Sequence, residues 1–145
     1  MKKPFWCENR VTFEGCPAKL SELMESVSGD EALMDFGHTW NGHPIDGQIL
    51  TFTKIVELPP EEDSEEDRIR LWGTAFDATE VAAFRHFGYL IYRFETADGP
   101  PVPVCRALRK QHPDLFLTWF FHEPKRFLAG YITTPDLIGF QEEEI

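Results

Sequence analysis

The sequence predicts an α+β sandwich, an antiparallel sheet with two main helices on one face and an extra hairpin. Three observations predict it. Cys7, Asn9, Val11 and Phe13 share one parity while Glu8, Arg10, Thr12 and Glu14 share the other, the period of a half-buried antiparallel strand. Leu20, Leu23, Met24 and Val27 recur at i, i+3, i+4 and i+7, the period of an amphipathic helix. Strand-like and helix-like stretches then follow one another along 145 residues, a length that suits one core and so a single domain over 1–145.

The elements follow in order. Gly15 ends the first strand, Pro17 sits where the first helical turn tolerates it, and Ser28-Gly29 stops the helix. The stretch from Asp30 to Gln48 carries too much Gly and Pro for a long element, with room for a short helix at Glu31 to Phe36. Ile49 to Val56 (ILTFTKIV) is rich in β-branched residues and reads as a strand stopped by Pro59-Pro60. An acidic loop follows over 57–67, with a turn of helix at Ser64 to Leu71. Asp77 to Phe87 leaves two readings: a helix opened by an Asp77/Glu80 capping box, slightly favoured by propensity, or the first arm of a hairpin. Tyr89 to Glu95 is a strand with Leu90, Tyr92 and Phe94 on one side. Val102 to Gln111 is the second amphipathic helix, its core face Val104, Leu108, Cys105 and Ala107. Leu115 to Phe121 (LFLTWFF) is apolar enough to predict a central strand with no wet face, and Phe127 to Thr133 is a last strand before a loosely held tail. This order is the ferredoxin-like arrangement with one hairpin added.

Charge narrows the function classes. Of a net charge of -11, the segment Glu57 to Asp67 supplies seven acidic residues and no basic one. Such a surface repels phosphate backbones, and Arg106, Arg109 and Lys110 are too few to reverse it, so direct nucleic-acid binding is not expected. No run approaches the roughly 18 apolar residues of a membrane span. The start, MKKPFWCENR, lacks the apolar stretch of a signal peptide, which predicts a cytoplasmic protein with no membrane partner. Cys7, Cys16 and Cys105 fall at scattered spacing, so reduced thiols are expected.

Several short stretches, taken in order, resemble the YubB-type ferredoxin-like domain family of phage- and plasmid-borne small proteins. They are Trp6-Cys7-Glu8-Asn9 with its alternating strand; Leu50 to Val56 before Pro59-Pro60; Trp72-Gly73-Thr74 with Asp77-Ala78; Phe94-Glu95-Thr96-Ala97 before Pro100-Pro101; and Glu123-Pro124 with Phe127 to Gly130. The chain departs from the family's pattern at Phe5, Ala75 and Asp98. The resemblance implies a ferredoxin-like fold, makes Thr79 to Phe84 a hairpin arm, and implies a mobile-element setting in which a host must be tolerated or disarmed. It brings no established activity.

No motif of nucleotide or hydrolase chemistry is present: GxxxxGK[ST], GxGxxG and GxSxG are all missing. Parity places Cys7 on the apolar face, where a thiol packs as a small hydrophobe, with Trp6 as an anchoring ring and Asn9 as a strand-edge hydrogen bonder. Asp35, His38, His43 and Asp46 match no compact metal motif and read as a solvated loop, so no metal and no cofactor is expected. The leading expectation is a non-catalytic interaction module whose Glu57, Glu61, Glu62, Asp63, Glu65, Glu66 and Asp67 meet a basic protein, such as a host defence nuclease. A second is an enzyme or ligand binder with an aromatic pocket between Trp6, Trp72, Trp119, His122 and Glu123. A third, single-stranded nucleic-acid binding, requires Tyr89, Ile91 and Arg93 exposed on an uncovered sheet face beside Arg10 and Arg126.

Overall fold

The fold was obtained as a computed structural model, in which residues 4–28 and 49–132 are described. The described residues form five strands, β1 (Trp6–Glu14), β2 (Thr79–Arg85), β3 (Tyr89–Ala97), β4 (Phe116–Glu123) and β5 (Leu128–Ile132). Three helices accompany them, α1 (Pro17–Val27), α2 (Glu65–Trp72) and α3 (Val102–Gln111). The strands form one antiparallel sheet in the order β2-β3-β1-β4-β5. Without α2 and β5 this is a βαββαβ arrangement; α2 is inserted between α1 and β2, and β5 joins the sheet edge as a hairpin with β4.

Strict alternation gives the sheet two unlike faces. Along β1, Cys7, Asn9, Val11 and Phe13 are buried, and Leu90, Tyr92 and Phe94 of β3 and Leu117, Trp119 and Phe121 of β4 join them in one core. The helices close that side with Leu20, Leu23 and Val27 from α1, Trp72 from α2, and Val104, Cys105 and Leu108 from α3. Both amphipathic helices therefore face the sheet as their periodicity requires. The opposite face carries Glu8, Arg10, Arg93 and Tyr131 exposed, with no described helix packed on it.

Residues 49–56 correct one expectation. They form no strand; a single 3-10 turn, Phe52–Lys54, takes its place. Burial does not alternate there: Ile49, Leu50, Thr51 and Phe52 are buried in succession, and Ile55 follows after two exposed residues. The backbone groups a sheet would have paired are spent locally and on side chains. Thr51 N–H donates to Val27 O, Phe52 N–H to the Asp77 carboxylate at 2.8 Å, and Trp72 Nε1 and Gln111 Nε2 donate to the carbonyls of Val56 and Ile55, each at 2.9 Å. The segment is thus a buried strap tied to α1, α2 and α3.

Other expectations resolve individually. Thr79–Arg85 is a strand with a bulge after Thr79, so the hairpin reading holds and the helical one does not. The bulge is where Glu80 takes a positive φ of 53°. The acidic run is not a loop throughout, because Glu65, Glu66 and Asp67 form the first turn of α2. There a capping box of Ser64 and Asp67 opens the helix, and Gly73 at φ 86° closes it. β4 lies second from the edge rather than central, and its other parity is not dry: Phe116 is 65% exposed. The candidate helix at 31–36, the tail, and the Asp35, His38, His43 and Asp46 loop lie outside the described residues.

Candidate functional site

The predicted aromatic pocket does not assemble, and strand parity is the reason. Trp6 and His122 occupy the open face, whereas Trp119 and Glu123 occupy the covered face and Trp72 is buried beneath α2. Trp119 is 1% exposed and stands edge-on to Phe94 at 5.8 Å; Trp72 stands edge-on to Phe52 at 5.7 Å. Both are core rings. Trp6, read as an anchoring ring, is instead 41% exposed, because its parity is that of Glu8 and Arg10.

Asn9 is more than a strand-edge hydrogen bonder. Its Oδ1 accepts from Trp119 Nε1 at 3.0 Å, and its Nδ2 donates to Thr96 Oγ1 at 2.9 Å and to Cys7 O at 3.2 Å. Thr96 in turn donates to Gly99 O at 2.6 Å. The network joins β1, β3 and β4 to the turn before α3, and its side-chain members are all buried, so it is structural in kind. Phe5 and Asp98 meet beside it: Phe5 N–H donates to the Asp98 carboxylate at 2.9 Å, and Asp98 N–H donates back to Phe5 O at 2.6 Å.

Neither buried thiol is poised for chemistry. Cys7 and Cys105 are fully enclosed, and burial pushes the Cys105 thiol up to about 12, far from a thiolate at neutral pH. His122 Nδ1 lies 3.8 Å from the Glu8 carboxylate on the open face. Glu123, facing the other way, is enclosed and has Arg126 at 3.5 Å, whose guanidinium lies 5.1 Å from the centre of the Phe5 ring. His122 and Glu123 therefore belong to separate surroundings. Among the described residues, no group of three or more His, Cys, Asp and Glu side chains is placed to hold a metal ion.

The acidic segment divides into paired and unpaired carboxylates. Asp63 meets Arg68 at 2.9 Å, while Glu62 and Asp67 meet Arg70 at 3.4 and 3.3 Å. Hydrogen bonds from the Ser64 side chain and backbone hold the Asp67 carboxyl below the usual range. Glu57, Glu61, Glu65 and Glu66 are exposed and meet no cation among the described residues. The sequence treats all seven alike because i+3, i+5 and i+8 pairings with Arg68 and Arg70 depend on where the helix starts.

The open sheet face is the feature that sequence reading named only as a condition. Register aligns Ala82, Arg93, Arg10, Phe120 and Tyr131 in one row across the sheet, with Glu95, Glu8, His122 and Ala129 in the next. Arg10 lies 5.4 Å from the Phe120 ring centre and Arg93 5.8 Å from that of Phe84. Shallow hollows of about 420 and 280 Å³ lie over these rows.

The class defined by this geometry is an α+β domain whose helices cover one face of a five-stranded antiparallel sheet. A solved structure of similar fold is protein api92 from Yersinia pseudotuberculosis, of family DUF1281, which aligns with a TM-score of 0.64 over 99% of each chain at 10% sequence identity. That likeness concerns the fold. No family model and no curated protein matches the chain. No helix among the described residues is long and apolar enough to cross a membrane.

Proposed function

We propose that the protein acts by binding rather than by catalysis, as an interaction module of a mobile genetic element that docks its acidic surface on a basic host protein, such as a defence nuclease. One observation carries this reading: among the described residues Glu57, Glu61, Glu65 and Glu66 stand exposed with no cation paired to them, and Glu65 and Glu66 lie in the first turn of a helix fixed by its own capping box. A rigid acidic patch of this kind steers a basic partner and sets its register, because complementary fields raise the encounter rate and exclude like-charged competitors. The setting rests on the family resemblance, and the class of partner on charge.

The alternatives are less well supported. Two of the three tryptophans that would line a ligand pocket, Trp72 and Trp119, fill the core instead, and Trp6 stands on the open face. Tyr89, Arg93, Arg10 and Arg126 do stand exposed as single-strand binding requires, yet Glu8, Glu14, Glu80 and Glu95 share that sheet face and oppose a phosphate chain. The test is affinity capture from host lysate with the natural chain and with Glu57→Lys/Glu61→Lys/Glu65→Lys/Glu66→Lys, both checked by circular dichroism. Basic proteins that are eluted by salt and lost from the variant are expected. An identical catch from both proteins would refute the reading.

A further inference from the structure

We infer that the open sheet face is a self-association surface, on which a second copy of this chain docks face to face about a twofold axis. The observation is a pattern of charge. Register sets Arg10 directly opposite Arg93 and Glu8 directly opposite Glu95 on the two neighbouring strands β1 and β3. Like charges placed opposite one another destabilise a sheet. Among the described residues neither arginine forms an ion pair with either glutamate; each guanidinium lies over an aromatic ring instead.

The two like-charged rows are adjacent, two residues or about 7 Å apart along the strands. A twofold axis lying in the plane of the face, parallel to the rows and midway between them, carries the arginine row of one copy onto the glutamate row of the other. Arg10 then meets Glu8 of the second copy and Arg93 meets Glu95, four reciprocal pairs in all, with Phe120 and Tyr131 beside them. An isologous interface requires this kind of self-complementarity. A single-signed face would repel its own copy.

Size and composition agree with the geometry. Five strands about 4.8 Å apart and about seven residues long cover roughly 550 Å² in projection, within reach of the 800 Å² or so per partner of a standard interface. Trp6, Phe120, Tyr131 and the two arginines are of the residue types that dominate interface energetics.

The experiment is light scattering coupled to gel filtration, with sedimentation across a dilution series, on the full chain. The natural protein is expected at twice its 16.8 kDa mass, dissociating on dilution and in high salt. Arg10→Glu/Arg93→Glu and Glu8→Arg/Glu95→Arg are each expected to be monomeric, and an equimolar mixture of the two to recover the dimer mass. Arg10→Gln/Arg93→Gln, which adds no repulsion and so guards against misfolding, is expected to weaken association about ten-fold or more. A natural protein that stays monomeric throughout, or a dimer indifferent to the Gln pair, would overturn the inference. Neither result bears on the acidic segment, which lies on the helix side.

Discussion

The buried network around Asn9 offers the most quantitative test of the fold. Replacing Asn9 with Leu keeps the branched outline and the number of heavy atoms but removes the acceptor for Trp119 Nε1 and the donor to Thr96 Oγ1 and Cys7 O, all inside a closed core. Three lost hydrogen bonds contribute about 1 kcal/mol each, and the stranded indole N–H adds about 1–3 kcal/mol because it is enclosed in the core. Asn9→Leu should therefore destabilise by about 4–6 kcal/mol. Trp119→Phe removes the same bond from the other side and leaves Asn9 Oδ1 unpaired, in addition to a smaller ring. The double variant strands neither partner, so it should be less destabilised than the two single changes added together, with a coupling energy of at least about 1 kcal/mol. Urea unfolding of the four proteins at neutral pH measures this directly. Strictly additive costs would show that the 3.0 Å contact contributes nothing, and that the strand pairing alone holds β1 to β4.

Three further outcomes follow from single positions. Phe52→Ala should cost about 3–5 kcal/mol in denaturant unfolding, because the ring is fully buried between Trp72 and Phe94 and pins the strap to the sheet. Gly73→Ala should destabilise by about 1–3 kcal/mol and lower Tm, since φ is 86° and a Cβ would stand 2.7 Å from Pro103 Cδ. Desolvation lowers the pKa of His112 below its ordinary value, so folding favours the neutral ring; stability is present above about 6.5 and lost as pH falls through the folded pKa. Thermal melts between neutral and mildly acid pH should show that loss, and His112→Gln should flatten it.

Much of the fold was legible because it is written in local periods. The parity of Cys7 to Glu14 and the i, i+3, i+4, i+7 spacing of Leu20 to Val27 survive folding unchanged, since burial on one face is what both encode. Val102–Gln111 is likewise the predicted helix. Ile49 to Val56 misled because β-branched propensity is weak against tertiary demand. What decided the segment were three side chains distant in sequence, Asp77, Trp72 and Gln111, which no local window contains. Thr79–Arg85 reads ambiguously for a related reason, as a bulge at Glu80 interrupts the strand's alternation at the residue that completes the Asp77/Glu80 capping-box pattern. The candidate sites were less legible. Composition located the acidic segment but not which carboxylates Arg68 and Arg70 neutralise, and the charge rows of the open face exist only once β1 and β3 are in register.

The two surfaces have a joint consequence that neither has alone. α2 packs on α3 in the helix layer, with its Trp72 in the core and Glu65 and Glu66 of its first turn exposed. The rows of Arg10, Arg93, Glu8 and Glu95 lie on the opposite side. A twofold assembly through the sheets would therefore leave both acidic patches outermost and symmetry-related, one on each flank. Such an arrangement presents two identical sites to a partner, and a basic partner that is itself multimeric would gain avidity through effective concentration without any new contact. The charge swap on the sheet and the charge reversal on α2 then separate the contributions. Losing the dimer should weaken capture of a multimeric partner and leave capture of a monomeric one unchanged, while reversing the α2 patch should abolish both and leave the dimer intact.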